Sequence, residues 1–148
     1  MLGFVGAVYQ MTPSEIERRA AQLVELFHFG EVLTQRIGHL SYGMKSRLVL
    51  MMSLLHDPQV LVLDEPFFGL DPQTLRLIKH LLRERAAQGM TVILSTHQLG
   101  IVEDVAHRIA ILTRGRLVAL GSLDALKRQY GGDRLEELFF QLTAAPSA

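Results

Sequence analysis

The sequence predicts an α/β fold whose sheet is mainly parallel. Two short apolar runs carry this prediction: Val-Leu-Val-Leu at residues 60–63 and Thr-Val-Ile-Leu at residues 91–94. Continuous apolar runs of this length are typical of strands that are covered on both faces. A segment with helical spacing of apolar residues separates the two runs, and strands that alternate with helices indicate a layered fold with a parallel sheet.

The first part of the chain is predicted to be all-helical. A helix is expected to begin at Thr12, because Thr12, Pro13 and Glu15 combine an N-cap, a first-turn proline and a capping box. A second helix is expected over residues 41–56, where the Asp-Pro pair that follows ends it. We therefore assign residues 1–57 to a helical subdomain.

The remaining sequence divides into a core segment and a C-terminal segment. Asp71 and Pro72 are expected to open a helix between the two strands, and a short helix follows at residues 99–106. Residues 108–121 read as a hairpin around Arg-Gly. We assign residues 58–121 to the core and residues 122–148 to C-terminal helices.

Composition excludes several classes of function. The chain has 148 residues, 49% apolar and 20% charged, which is enough for one globular domain. Fifteen basic and fifteen acidic residues balance, so no electrostatic footprint for nucleic acid is expected. There is no cysteine, which excludes disulfides and thiolate metal sites and makes the cytoplasm the simplest location. The uncharged stretch at residues 1–14 is too short to span a bilayer, so a membrane role is expected only through a partner.

Two adjacent carboxylates, Asp64 and Glu65, follow the first apolar run. Open parallel sheets bind ligands at the carboxyl ends of their strands. In nucleotide chemistry Asp64 would hold Mg²⁺ through water, and Glu65 would orient or deprotonate the attacking water. A strand that simply ends in a polar turn would give the same pair, so this pattern alone leaves both interpretations open.

A histidine follows the second run, in Ser-Thr-His at residues 95–97. A neighbouring parallel strand would bring His97 to the same edge as Glu65, where it could hydrogen-bond a terminal phosphate and the carboxylate. A single histidine at a strand end is more often a surface or capping residue, so His97 by itself favours that interpretation.

Two predicted helix starts have the same double interpretation. Ser41 and Gly43 lie at the beginning of the second helix, where free backbone N–H groups and the helix dipole favour an anion. Asp71 is the third residue of the Gly-Leu-Asp-Pro segment and is suited to cap the next helix, with a second role at an interface compatible with that. An ordinary capped helix explains either segment when it is considered alone.

In order and spacing these pieces together resemble the nucleotide-binding domain of ABC transporters. The matches are to the signature motif (Ser41, Gly43), the Walker B pair (Asp64, Glu65), the D-loop (residues 69–72), the switch histidine (His97) and the late hairpin (residues 108–121). The resemblance implies a P-loop NTPase-like, three-layer core with a mainly parallel sheet and a helical subdomain. It also implies ATP and Mg²⁺ as cofactors.

The same resemblance implies roles and partners. Glu65 and His97 would be catalytic, and Asp64 would bind the metal. Ser41 and Gly43 would contact the phosphate of an ATP held by a second ABC ATPase domain in a head-to-tail dimer, with Asp71 at the interface. An integral-membrane permease would be the other partner, and the protein would be cytoplasmic, peripheral to the membrane through that permease.

Several residues depart from the family pattern. Tyr42 replaces the first glycine of the signature, Met44 replaces its glutamine, and Ser46 stands where a later glutamine is common. The Gly-Met-Lys sequence at residues 43–45 and the Phe-Phe pair at residues 67–68 resemble those of subfamilies that serve ABC-2-type exporters. Tyr42 adds bulk beside a turn that contacts phosphate in the family.

The sequence contains no Gly-x-x-x-x-Gly-Lys-Ser/Thr phosphate loop. A near match at residues 38–46 is one residue too long and follows a connector instead of a buried strand. The family's Walker A strand and Q-loop would precede residue 1, so the domain is expected to be incomplete at its N-terminus. Unpaired strand edges and a risk of aggregation would follow.

Three functions remain as hypotheses. The first is an ATPase subunit of an ABC transporter, represented by a partial domain. The second is a non-enzymatic remnant that at most supplies a signature motif to a complete partner. The third is a soluble ABC-type translation or repair factor, although neither a second cassette nor a long coiled-coil insertion is present. The chain alone is not expected to bind and hydrolyse ATP.

Overall fold

A computed structural model describes residues 1–144. The chain divides into two compact units, Met1–Ser95 and Thr96–Ala148. This division falls inside the segment 58–121 that the sequence interpretation keeps together, and the three-part division into residues 1–57, 58–121 and 122–148 stays a prediction. The last four residues of the predicted C-terminal segment lie outside the described residues.

The first unit contains a helical part followed by a strand, a helix and a second strand. Its elements are α1 (Leu2–Val8), α2 (Pro13–Leu26), α3 (Tyr42–Leu54), β1 (Val60–Asp64), α4 (Pro72–Ala87) and β2 (Thr91–Ser95), with 3-10 turns at Gly30–Val32 and Ile37–His39. All of these helices and strands except α1 were expected from the sequence. No side chain caps α1, which is why its start carries no sequence signal.

Side-chain caps start the helices at the predicted positions. Thr12 and Glu15 form the predicted capping box: the Thr12 amide donates to the Glu15 carboxylate at 2.8 Å, and the Glu15 amide donates to Thr12 Oγ1 at 3.3 Å. Ser41, Asp71 and Ser122 cap α3, α4 and the first C-terminal helix, each by accepting a hydrogen bond from the backbone amide three residues later. Short polar side chains therefore set where these four helices begin.

The parallel sheet of the first unit has two strands. β1 and β2 pair in parallel, with Val62 opposite Ile93 and Asp64 opposite Ser95. Leu61 and Leu63 are buried, but Val60, Val62 and Ile93 are 55%, 69% and 56% exposed. The expectation that both faces are covered is therefore wrong for the described residues. An apolar run shows which side chains can be buried, whereas the packing of other elements decides which faces of the strand are buried.

A partly exposed arginine network joins the helical part of the first unit to the start of β1. Arg19 of α2 donates to the carbonyl oxygens of Leu54 and Leu55 at 3.3 and 3.2 Å and to Asp57 at 2.7 Å. Arg85 of α4 donates to the same Asp57 oxygen at 3.1 Å. Asp57 thus connects two helices across the link between α3 and β1.

The second unit is built on an antiparallel hairpin. Its elements are α5 (Leu99–Val105), β3 (Ile109–Thr113), β4 (Arg116–Gly121), α6 (Leu123–Tyr130) and α7 (Leu135–Ala144). The predicted hairpin is confirmed, with a register shift between Ile111 and Leu112. Its core consists of Ile109, Ile111, Ala119, Leu126, Leu135 and Leu138.

Among residues 1–144, no helix has the length and apolar character that crossing a membrane requires.

Candidate functional site

The two predicted carboxylates lie at the end of β1, beside the end of β2. The Ser95 hydroxyl donates a hydrogen bond to Oδ1 of Asp64. The Glu65 amide donates to the carbonyl oxygen of Ser95 at 2.9 Å, which continues the ladder one residue beyond the strand. The parallel register therefore places a hydroxyl directly against the first carboxylate and fixes the backbone of the second.

The chain turns sharply at Glu65. Its φ is +45°, in the left-handed region that side chains with a Cβ rarely adopt. Pro66 and Phe67 follow as buried residues, Phe67 with only 3% exposure, and the Phe68 amide donates to the Glu65 carbonyl oxygen at 3.3 Å. Burial of Phe67 holds this turn, and strained residues that are held in this way cluster at functional sites.

His97 belongs to the second unit, two residues after β2 ends, and its side chain is exposed. The expectation that it faces Glu65 stays a prediction.

The predicted signature residues lie at the N-terminus of α3. Ser41 Oγ accepts a hydrogen bond from the Met44 amide at 3.2 Å, so it acts as the helix cap. A Cβ on Gly43 would lie 3.0 Å from the carbonyl oxygen of Gly69. The structure therefore brings the start of α3 against the segment that was predicted as the D-loop, and close approach of two backbones requires the glycine at residue 43.

Asp71 is held by two neighbouring residues, Thr74 and Arg47. It accepts hydrogen bonds from the Thr74 amide at 2.9 Å and from the Thr74 hydroxyl at 2.6 Å. The Arg47 guanidinium lies 3.8 Å from the same carboxylate. The bonds from Thr74, and then the charge of Arg47, hold the pKa of Asp71 below its usual value. The predicted capping role of Asp71 is confirmed, and its role at an interface stays a prediction.

A cleft opens beside Asp71 in the first unit. Its lining residues are Phe27, His28, Arg47, Asp71, Gln73, Thr74 and Leu77. Arg47 Nε is buried and has no hydrogen-bond partner among the described residues. The contact of Arg47 with the carboxylate of Asp71 is therefore made by Nη2 and not by Nε.

The described part of the chain offers few metal ligands. Residues 1–144 contain no cluster of three or more His, Cys, Asp or Glu side chains that could hold a metal ion. Mg²⁺, however, is commonly bound by one or two carboxylates together with water and substrate phosphates. Asp64 is exposed at the strand end, and Ser95 engages one of its two oxygens. The donor set therefore fits a magnesium ion that a nucleotide shares.

Some neighbours of the site were not identified from the sequence. Ser95 was assigned no role, although the parallel register that places it opposite Asp64 could have identified it. The Thr74 hydroxyl and Arg47 were also missed, and the N-cap pattern at Asp71 is the signal that points to Thr74. Contact between Gly43 and Gly69 depends on tertiary packing, so no local pattern reveals it.

Comparison with known proteins supports this reading of the fold. A family model described as "AAA domain, putative AbiEii toxin, Type IV TA system" matches residues 7–103. A solved structure described as an ATP binding subunit of an ABC transporter superposes with a TM-score of 0.89 at 34% identity, covering 95% of this chain and 60% of the other.

Curated relatives point the same way. The Bacillus subtilis linearmycin resistance ATP-binding protein LnrL is 35% identical over 93% of this chain and 44% of its own length. The Nod factor export ATP-binding protein I of Rhizobium sp. (strain N33) is 39% identical over 90% of this chain and 44% of its own length. The daunorubicin resistance ATP-binding protein DrrA3 of Streptomyces coeruleorubidus is 35% identical over 91% of this chain and 43% of its own length.

The fold is therefore that of an ABC-type ATPase domain of the P-loop NTPase class. The chain belongs to the family of ABC transporter ATP-binding proteins, as the resemblance of its motifs predicts. It spans less than half the length of the curated relatives that it matches.

Proposed function

We infer that the chain is the part of an ATP-hydrolysing subunit that carries the signature, Walker B, D-loop and switch-histidine residues, and that this subunit drives an exporter of the ABC type. The observation that carries this proposal is the end of β1, where Asp64 and Glu65 lie against Ser95 of β2. Relatives whose names refer to export or drug resistance support the exporter class.

Asp64 would hold Mg²⁺ through water. Its exposed carboxylate already receives one hydrogen bond from Ser95, which orients the side chain and leaves its other oxygen for the metal's hydration shell. The ion, when bound with nucleotide, neutralises charge on the phosphates.

Glu65 would act on the attacking water. Its backbone takes a left-handed conformation, and the bond from its amide to the Ser95 carbonyl oxygen holds that backbone at the end of β2. A carboxylate at this position can accept a proton from a water molecule or hold that molecule in line with the terminal phosphate. His97, as the switch histidine, would contact the same phosphate.

Ser41 and Gly43 would contact the phosphate of an ATP bound by a second ABC ATPase domain. Ser41 caps a 13-residue helix and Gly43 lies in its first turn, where N–H groups and the helix dipole favour an anion. Asp71 would lie at the interface of this head-to-tail pair. A membrane permease would be the further partner, and the subunit would be cytoplasmic and attached to the membrane through it.

A second candidate follows from the missing motif. These 148 residues contain no Gly-x-x-x-x-Gly-Lys-Ser/Thr sequence, so the chain by itself has no loop that cradles phosphates. On this alternative the chain is a non-enzymatic partner that supplies only Ser41 and Gly43 to a complete ABC domain. On either proposal the isolated chain does not turn over ATP.

The experiment begins with the intact mass of the protein from its native source. A mass well above 16.6 kDa favours a subunit with its own phosphate loop, and a mass that equals this value favours the non-enzymatic partner. Mg-ATP hydrolysis is then measured on the protein so obtained, with the Glu65→Gln variant beside it.

For the ATPase subunit we expect Glu65→Gln to reduce kcat by about a hundredfold or more, within the range for loss of a general base. The matched control is Glu17→Gln, which neutralises an exposed glutamate of α2. Hydrolysis that is insensitive to Glu65→Gln would contradict the role of Glu65. Turnover by the 148-residue chain alone would contradict both proposals.

A further inference from the structure

Two exposed aromatic rings connect the start of α3 with the turn after β1. The rings of Tyr42 and Phe68 meet edge to face, with centroids 5.5 Å apart and an interplanar angle of 85°. Edge-to-face contact is one of the favoured geometries for aromatic pairs, because the positive edge of one ring meets the negative face of the other. The contact joins two segments that the family pattern treats as separate motifs.

The glycines beside the two rings make this contact possible. Gly69 has φ +69°, and a Cβ on it would lie 2.5 Å from Cδ1 of Tyr42. A Cβ on Gly43 would lie 3.0 Å from the Gly69 carbonyl oxygen. Each segment therefore presents a glycine to the other, and we call Tyr42, Gly43, Phe68 and Gly69 the aromatic clamp.

The clamp is not part of the hydrophobic core. Tyr42 is 59% exposed and Phe68 is 54% exposed, whereas the adjacent Phe67 is 3% exposed and anchors the turn. Truncation of a ring that is more than half exposed removes little buried area, so its main consequence is expected in the geometry of the turn and not in global stability.

The other end of the same turn is also fixed. Asp71 accepts two hydrogen bonds from Thr74 and lies near Arg47, which is itself part of α3. The segment 68–71 is thus attached to α3 at its beginning through Tyr42 and at its end through Arg47.

We propose that Tyr42 and Phe68 are positioning residues that lock segment 68–71 to the N-terminus of α3, so that Asp71 and the pair Ser41 and Gly43 take their places at a nucleotide interface together. This inference rests on the proposed function for its consequence in ATP hydrolysis. Tyr42 is the residue that replaces a signature glycine, and the clamp gives that replacement a structural purpose.

Amide hydrogen exchange in the 148-residue chain tests the clamp. The Phe68 and Leu70 amides donate to Glu65 and Phe67 within the turn, so their exchange reports its opening. We expect Tyr42→Ala and Phe68→Ala each to raise exchange at residues 68–71 by about two- to tenfold, the range that an edge-to-face contact is worth. Tyr42→Phe, which keeps the ring, is expected to leave exchange unchanged.

The control and the double variant make the test specific. Phe140→Ala truncates another exposed ring with an edge-to-face neighbour, Phe139, and should not affect the turn. The Tyr42→Ala, Phe68→Ala double variant should exchange no faster than either single variant, because both remove one contact. Unchanged exchange in the single variants, or faster exchange spread evenly over the chain, would overturn the clamp.

Kinetics on the ATP-hydrolysing form then test the consequence. We expect Tyr42→Ala to lower kcat several-fold at unchanged KM, and Tyr42→Phe to restore it. A change in KM alone, or an unaffected kcat, would overturn the positioning role. If Glu65-dependent hydrolysis is absent, the proposed function and the link to hydrolysis both fail, whereas the exchange measurement still decides whether the clamp exists.

Discussion

At the scale of single residues, a few polar side chains each serve more than one purpose. Asp71 caps α4, accepts the hydroxyl of the buried Thr74 and faces Arg47. Ser95 ends a strand and supports the Asp64 carboxylate. Such residues combine a structural contact with a position at the candidate site, so substitution of them changes stability and function together.

Asp71 is expected to stabilise the fold through its cap. Asp71→Ala removes the acceptor for the Thr74 amide and hydroxyl, and should lower the free energy of unfolding by about 1–2 kcal/mol. Asp71→Asn keeps a good capping side chain and should lose less. Urea unfolding at neutral pH measures both. Equal stability of the alanine variant and the original protein would contradict the prediction.

The charge of Asp71 should also be visible in the pH dependence of the stability difference between the original protein and Asp71→Asn. Its pKa in the folded state lies below the usual value, first because of the Thr74 hydroxyl and then because of the Thr74 amide. The Asp71 carboxyl thus binds a proton less readily in the folded state than in the unfolded state, where it titrates at about pH 3.9. The advantage over Asp71→Asn should be full above that pH and disappear as the pH falls through the folded pKa.

At the scale of elements, the chain shows what a sequence can and cannot specify. The starts of α2, α3, α4 and α6 were predictable because a Thr, Ser or Asp side chain binds a free amide three residues later in each. Helix α1 has no such cap and was not predicted. A capping side chain lies three residues before the amide that it binds, so the sequence alone can reveal it. A helix without such a side chain gives no comparable local signal.

The candidate site was predictable to the same extent. Asp64 and Glu65 were found from the strand that precedes them, because an apolar run followed by carboxylates is a local pattern. The open face of β1 and the approach of Gly43 to Gly69 were not, since both depend on distant segments of the chain. The sequence therefore predicts the carboxylates of the candidate site, and the structure adds the contacts that support them.

The connection between α2 and α4 through Asp57 is expected to contribute by charge. Asp57→Asn preserves the left-handed backbone, which asparagine tolerates, and removes the charge that Arg19 and Arg85 share. We expect a loss of up to about 1 kcal/mol in the free energy of unfolding, because the carboxylate is largely exposed.

Salt distinguishes this effect from a change in backbone strain. The difference between Asp57→Asn and the original protein should shrink when urea unfolding is repeated at about 1 M salt, where the screening length is about 3 Å. Glu31→Gln, at an exposed glutamate of a 3-10 turn, serves as the control and should change stability little at either salt concentration. A difference that does not depend on salt would contradict the electrostatic interpretation.

At the scale of the whole molecule, the parallel sheet is the feature with the widest consequence. Within residues 1–144, β1 pairs only with β2, so each strand also has an unpaired edge. On one face of this pair Val60, Val62 and Ile93 are each more than half exposed. Open edges next to exposed β-branched side chains form a template for pairing with another chain.

We therefore expect the 148-residue chain to self-associate through this face. Its mass by light scattering should exceed 16.6 kDa at concentrations of about 10–100 µM, where exposed strand edges typically drive association. Val62→Lys should lower the mass towards the monomer, because it places a charge in the middle of the apolar face. Val49→Lys makes the same change at a valine of α3 that is 52% exposed and should leave association unaltered. A monomeric mass at every concentration would contradict the prediction and show that the open face is tolerated in water.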